Sequence, residues 1–114
     1  MKATGWSREL GRDRSNLDLE LLNAPFDRKV AAYENLKIKH LGKIESKTDR
    51  LEVRRRIAES LLAAAVGQPW HVFARYLRRL QRLGFSTPDR LVLTCHDAAR
   101  AARGDPNAKV IAHA

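Results

Sequence analysis

The sequence holds a single cysteine, Cys95, so an internal disulfide framework is excluded and a reducing compartment is expected. No apolar run approaches the ~18 residues of a membrane-spanning helix. The opening stretch MKATGWSREL lacks the apolar core of a secretory signal. These absences set the expectation of a cytoplasmic protein with no membrane association. The four histidines, His40, His71, His96 and His113, stand in no metal-ligand spacing, and the adjacent Cys95 and His96 would point about 100° apart on a helix. A glycine-rich phosphate loop, a paired-carboxylate pattern and a nucleophile motif are all missing. The expectation is a non-enzyme with no catalytic residues, no metal and no cofactor.

The absence with the largest consequence is one of negative charge. Between Glu59 and Asp89 the sequence has no carboxylate side chain, yet RYLRRLQR in that gap carries Arg75, Arg78, Arg79 and Arg82. The formal net charge is +9, unevenly spread. Residues 1–49 carry 10 Lys+Arg against 8 Asp+Glu, whereas residues 50–103 carry 11 against 4, and all 11 are arginine. Arginine presents a planar donor fork suited to phosphate or carboxylate, while lysine is a hydrated point charge. The excess is thus localised and biased toward oxyanion contact.

What is present reads as helix. A chain of 114 residues with 44% apolar content is long enough for one modest core. SKTDRLEVRRRIAESLLAAAVG opens on Ser46 or Thr48 as N-cap and lays Val53, Ile57, Leu61 and Ala64 along one face, with Gly67 closing it. Residues 69–83 follow, Pro69 standing in the first turn and Trp70, Phe73, Leu77 and Leu80 forming the apolar stripe. Gly84 with Phe85 resembles a C-terminal cap, and STPDR starts a further helix with Leu91, Cys95, Ala98 and Ala102 on its face. In the first half, SNLDLELLNA reads as a short helix stopped by Pro25, and Phe26 to Ile44 as a second, with Phe26, Val30, Tyr33, Leu41 and Ile44 inward. The expected fold is all-α, a small helical bundle of four to five helices. Residues 1–104 would form a single helical domain with its core over 48–103, and 105–114 a loose tail. LKIKHL alternates apolar and basic residues, which also suits a short strand at about 35–41.

Three short motifs carry resemblances. LGFSTPDR resembles a helix-turn-helix connection, although Arg90 stands where that motif has an apolar residue and Leu80 where it has a small one. SRELGRDRSNL matches similarly, with Leu10, Gly11 and Leu17 well placed and Arg12 out of pattern. NLKIKHL ahead of two helices resembles a ribbon-helix-helix protein, in which Lys37 and Lys39 would point outward from a strand. An ordinary helical hairpin explains the first two, and the length of the helix after NLKIKHL favours a bundle over the third.

On a helix, His71, Arg75, Arg78 and Arg82 recur at spacings of four, three and four, so they share a face, with Arg79 alongside. The preceding helix uses arginine differently. Arg56 lies four after Glu52 and Arg55 four before Glu59, so ion pairs can absorb that charge and leave Arg50 and Arg54 over. Trp70, Phe73 and Tyr76 offer stacking surfaces, but the first two fall on the apolar stripe. The functional surface expected is Arg50, Arg54, Arg75, Arg78, Arg79 and Arg82, binding the phosphate backbone of DNA or RNA. A regulator would use such a surface. So would a small helical subunit of a larger nucleoprotein, and the small subunits of CRISPR effector complexes are similar in size and charge. The competing readings are a helical interaction module or adaptor for an acidic partner or a homodimer, a plain solvated face, and intramolecular masking by Glu9, Asp13, Asp18 and Glu20.

Overall fold

In the computed structural model, residues 5–84 are described and form four helices: α1 (Gly5–Glu20), α2 (Phe26–Leu41), α3 (Lys47–Ala64) and α4 (Trp70–Arg82). The fold is all-α, with no strand among the described residues. LKIKHL lies wholly inside α2, so the strand and ribbon-helix-helix alternative falls. Tyr33, Leu36 and His40 are the buried positions of α2, a helical rather than a two-residue period. SRELGRDRSNL is likewise uninterrupted helix: Gly11 sits in the interior of α1, and no turn follows it. The helix expected after Thr87, with Leu91, Cys95, Ala98 and Ala102, and the Phe85 cap lie outside the described residues, as does the tail.

The chain divides into two compact units, Met1–Leu61 and Leu62–Ala114. In the first, the core is Leu10, Leu21, Tyr33, Leu36, Ile44, Val53, Ile57, Ala58 and Leu61. The α3 face is therefore the one its spacing predicts. On α2 the buried stripe is rotated: Phe26, Val30 and Leu41 are only half-buried, while Leu36 and His40 are inside. Ser46 caps α3, accepting a bond from the Asp49 N–H (3.3 Å), three residues on as an N-cap requires.

α1 is the unusual element. Its GWSRELGRDRSNLDLE is rich in glycine, serine, asparagine and aspartate, which are weak helix formers. Leu10 is its one buried residue. Side-chain contacts do what propensity and burial do not. Lys43 Nζ donates to Glu9 (3.0 Å), and Asp13 Oδ2 takes both His40 Nε2 (2.9 Å) and Lys39 Nζ (3.3 Å). The Tyr33 hydroxyl donates to Asp18. From α3, Arg56 donates to Ser7 Oγ (2.9 Å) and holds its guanidinium 5.5 Å from the centre of the Trp6 ring, while Arg14 donates to Ser60 (3.0 Å). His40 is 1% exposed, and its bond to Asp13 satisfies a polar group that burial would otherwise penalise.

These contacts set the pH response. The hydrogen bond from His40 holds the Asp13 carboxyl below its ordinary range, and the hydrogen bond from Lys43 does the same for Glu9. A carboxyl with a lowered folded pKa contributes stability that is complete above its unfolded value and lost as pH falls through the folded one. Chemical-denaturation midpoints should therefore fall between about pH 5 and about pH 3. Asp13→Asn should flatten that fall, and an unchanged slope would show that the pair does not link to folding. Leu10→Ala removes the single apolar anchor of α1 and should cost about 2–5 kcal/mol in the same measurement.

Candidate nucleic-acid interface

The second unit begins with the last turn of α3. Gly67 has φ +89° and Gly84 φ +81°, so left-handed residues stand at both ends of the α4 segment, where a side chain would be strained. Pro69 is the N-cap of α4, one residue earlier than its expected first-turn place, and lacks an N–H to leave unsatisfied. Arg79 and Arg82 lie in the last turn, where the partial negative charge of the helix end favours cations. This offsets part of the repulsion of about a few tenths of a kcal/mol between arginines four apart.

Burial divides α4 cleanly. Phe73 and Leu80 are 1% exposed, and Ala74 and Tyr76 are also buried. Trp70 and Leu77 are half-buried, with the Trp70 and Phe73 rings 5.5 Å apart. The inward arc is thus centred on Phe73, Tyr76 and Leu80, and Tyr76 joins the core rather than the surface. His71, Arg75, Arg78 and Arg82 are exposed on the opposite arc, and Arg79 is half-buried at its edge. The side chains of Arg75, Arg78 and Arg82 have no hydrogen bond or ion pair to another described residue. Two surface depressions flank Arg82. One, of about 620 Å³, includes Arg75, Tyr76, Arg79, Arg82 and Leu83 in its lining; the other, of about 490 Å³, includes Arg78, Gln81 and Arg82. Guanidinium groups thus line concave surface with an apolar floor.

The remaining sequence-predicted residues belong to the first unit. Arg54 is exposed and, among the described residues, makes no ion pair. Arg50 is half-buried and its Nη1 donates to the carbonyls of Leu41 (2.5 Å) and Ile44 (2.9 Å), tying down the end of α2 and the turn after it. Such a bond satisfies carbonyls that the helix end leaves without an intrahelical partner. The expected pairs of α3 form: Arg56 Nε to Glu52 at 2.9 Å and Arg55 Nε to Glu59 at 3.3 Å, with Arg55 Nη1 also reaching Glu52. Asp13 and Asp18 are engaged by α2, and Glu9 by Lys43 in the turn after it.

The chain matches no protein-family model, no curated protein and no solved structure. Its site is therefore read from its own residues.

Sequence reasoning missed two features of the arginine set. Gln81 lines the second depression, and its place three residues after Arg78 and beside Arg82 was the available signal. The capping role of Arg50 had no sequence signal, because its partners are backbone carbonyls six and nine residues back. The two left-over arginines of α3 should consequently separate by experiment. Arg50→Ala should lower stability by about 1–2 kcal/mol through lost charge-assisted bonds. Arg54→Ala should stay within about 0.5 kcal/mol of the natural protein. Denaturant midpoints at neutral pH read both; equal losses would remove the distinction.

Proposed function

We propose that this protein is a small, non-catalytic nucleic-acid-binding protein that contacts phosphate backbone through the arginine face of α4. The observation that carries the reading is the exposed line Arg75–Arg78–Arg82, without an ion-pair partner among the described residues, in a segment whose nearest carboxylates in sequence are Glu59 and Asp89. Arg79 extends it at the edge. Guanidinium forks bind phosphate oxygens bidentately, and each phosphate neutralised releases condensed counterions. The mechanism is electrostatic attachment. A regulator or a helical subunit of a larger nucleoprotein would use it to hold backbone while other contacts supply specificity.

The three-to-four spacing of the arginines supports a positioning role over base readout. Arginine is the sole charged type on the face, and phosphate contact fixes register without reading sequence. Of the N-terminal carboxylates that would compete for these arginines, Asp13 and Asp18 have partners on α2 and Glu9 has Lys43 just after it, which supports an external anion as the counter-charge.

A salt series tests this. With three phosphate contacts, from Arg75, Arg78 and Arg82, the slope of log affinity against log salt should be about −2.7 on duplex, or about a 40-fold loss from 50 to 200 mM. The Arg75/Arg78/Arg82→Ala variant should lose most of that binding and most of its salt dependence over the same range. Its fold should persist, because all three side chains are exposed. Absence of binding by the natural protein at low salt would sink the reading and turn attention to an acidic protein partner.

A further inference from the structure

We infer that the outward face of α1 docks a helix of another protein. The helix it fits is amphipathic, with apolar side chains at one end of its stripe and carboxylates at the other. None of the residues concerned belongs to α4, so this face stands apart from the nucleic-acid reading.

Arg8, Arg12, Ser15, Leu19 and Leu22 follow one another at spacings of four, three, four and three, the seam period of paired helices. All five are exposed. The winding continues past the end of α1. There the Leu21 N–H reaches the Leu17 carbonyl (2.9 Å) and the Leu22 N–H the Leu19 carbonyl (3.4 Å), which keeps Leu22 in line. Leu10, the buried residue of α1, falls about half a turn away from Leu19. Leu19 is 75% and Leu22 68% exposed, the highest values for large apolar side chains among the described residues. A lone exposed leucine is ordinary on a surface. Two on one seam, continued by two cations in the same register, make a pattern.

Charge fixes the chemistry of the occupant. The side chains of Arg8 and Arg12, four residues apart, have no hydrogen bond or ion pair to another described residue. With Gly5 and Glu9 they line a depression of about 420 Å³. Glu9 is turned to another cation, its carboxylate 3.0 Å from Lys43 Nζ, and Asp13 is held by His40 at 2.9 Å. Between the cationic and the leucine ends stands Gly11, where an added Cβ would meet nothing within 4 Å. A glycine inside a helix costs stability relative to alanine, and the chain's own packing supplies no reason for one here. Its missing side chain leaves room for a second backbone to come close.

A second copy of this chain covers the stripe badly. In a parallel pair, Arg8 and Arg12 meet their own counterparts. In an antiparallel pair, the guanidinium end of one copy meets the leucine end of the other, where burial leaves the charge unpaired. Nucleic-acid backbone satisfies the arginines but offers the leucines no apolar surface. An acidic amphipathic helix satisfies both ends.

The probe is a labelled synthetic helix of about 20 residues whose seam reads Leu, Leu, Ala, Glu, Glu, made in both chain directions. It is titrated into the full chain at about 150 mM salt and read by fluorescence anisotropy. One direction should bind at least about tenfold more tightly than a scramble of the same composition. Leu19→Gln/Leu22→Gln should weaken that binding by at least about tenfold. Arg8→Glu/Arg12→Glu should move the preference to a probe with lysine in place of glutamate. Both pairs are exposed, so the fold persists. Arg75/Arg78/Arg82→Ala should stay within about twofold of the natural chain, which separates docking at α1 from general attraction to a basic protein. Binding no tighter than the scramble overturns the inference, as does a charge reversal that leaves the preference unchanged. Dimerisation of the natural chain in sedimentation equilibrium, abolished by the leucine substitutions, assigns the face to a second copy and also overturns it. Displacement of the probe from the α4 variant by an oligonucleotide assigns the face to nucleic acid, with the same consequence. The salt series at α4 can fail while docking at α1 stands, and the reverse.

Discussion

Counter-charge in this protein is unevenly divided, and most of what distinguishes its two units follows from that. In the first unit carboxylates and cations alternate closely enough to pair within a helix and between segments. Glu9 meets Lys43, Asp13 meets His40 and Lys39, and Glu52 meets Arg55 and Arg56. In the second, α4 carries four arginines and the sequence supplies no acid from Ser60 to Pro88. A charge that is paired inside a fold contributes to architecture. One left in solvent contributes a field, and a field is what draws a polyanion to a surface.

α1 shows how far the pairing goes. Exposed ion pairs are individually weak, usually worth less than about 1 kcal/mol, so a row of them is a poor foundation for a helix alone. Here the row is backed by two contacts of another kind. His40 brings a buried ring to Asp13, and Tyr33 brings a buried hydroxyl to Asp18. Breaking either leaves a polar group facing the core, which costs more than a lost surface pair. Leu10 supplies the apolar contact around which the polar row is arranged. The same carboxylates are thereby engaged within the first unit.

Arginine accordingly plays three parts in one short chain. Arg50 binds carbonyls at the end of α2, Arg55 and Arg56 pair along α3, and Arg75, Arg78 and Arg82 point to solvent. Side-chain chemistry is identical in all of them. Surroundings decide whether the guanidinium is a cap, a cross-link or a solvent-exposed charge.

Much of this was legible in the sequence, because it depends on residues close along the chain. The all-α class, the Ser46 cap, the left-handed Gly67, the α3 face of Val53, Ile57 and Leu61, and its i,i+4 ion pairs all arise within one or two helical turns. So does the arginine stripe, since spacings of three and four place residues on one face wherever the helix lies. Other features were settled only by tertiary structure. An alternating segment such as LKIKHL satisfies two periodicities, and the burial of Leu36 and His40 chose between them. Gly11 allowed a turn that the contacts of α1 on either side of it suppress. Which cation each N-terminal carboxylate would meet depended on partners 15 to 34 residues away, a range over which local spacing carries no information. Sequence determined where charge would stand on each helix, because that is a matter of period; tertiary structure decided which charges would be matched, because that is a matter of proximity between segments distant in the chain.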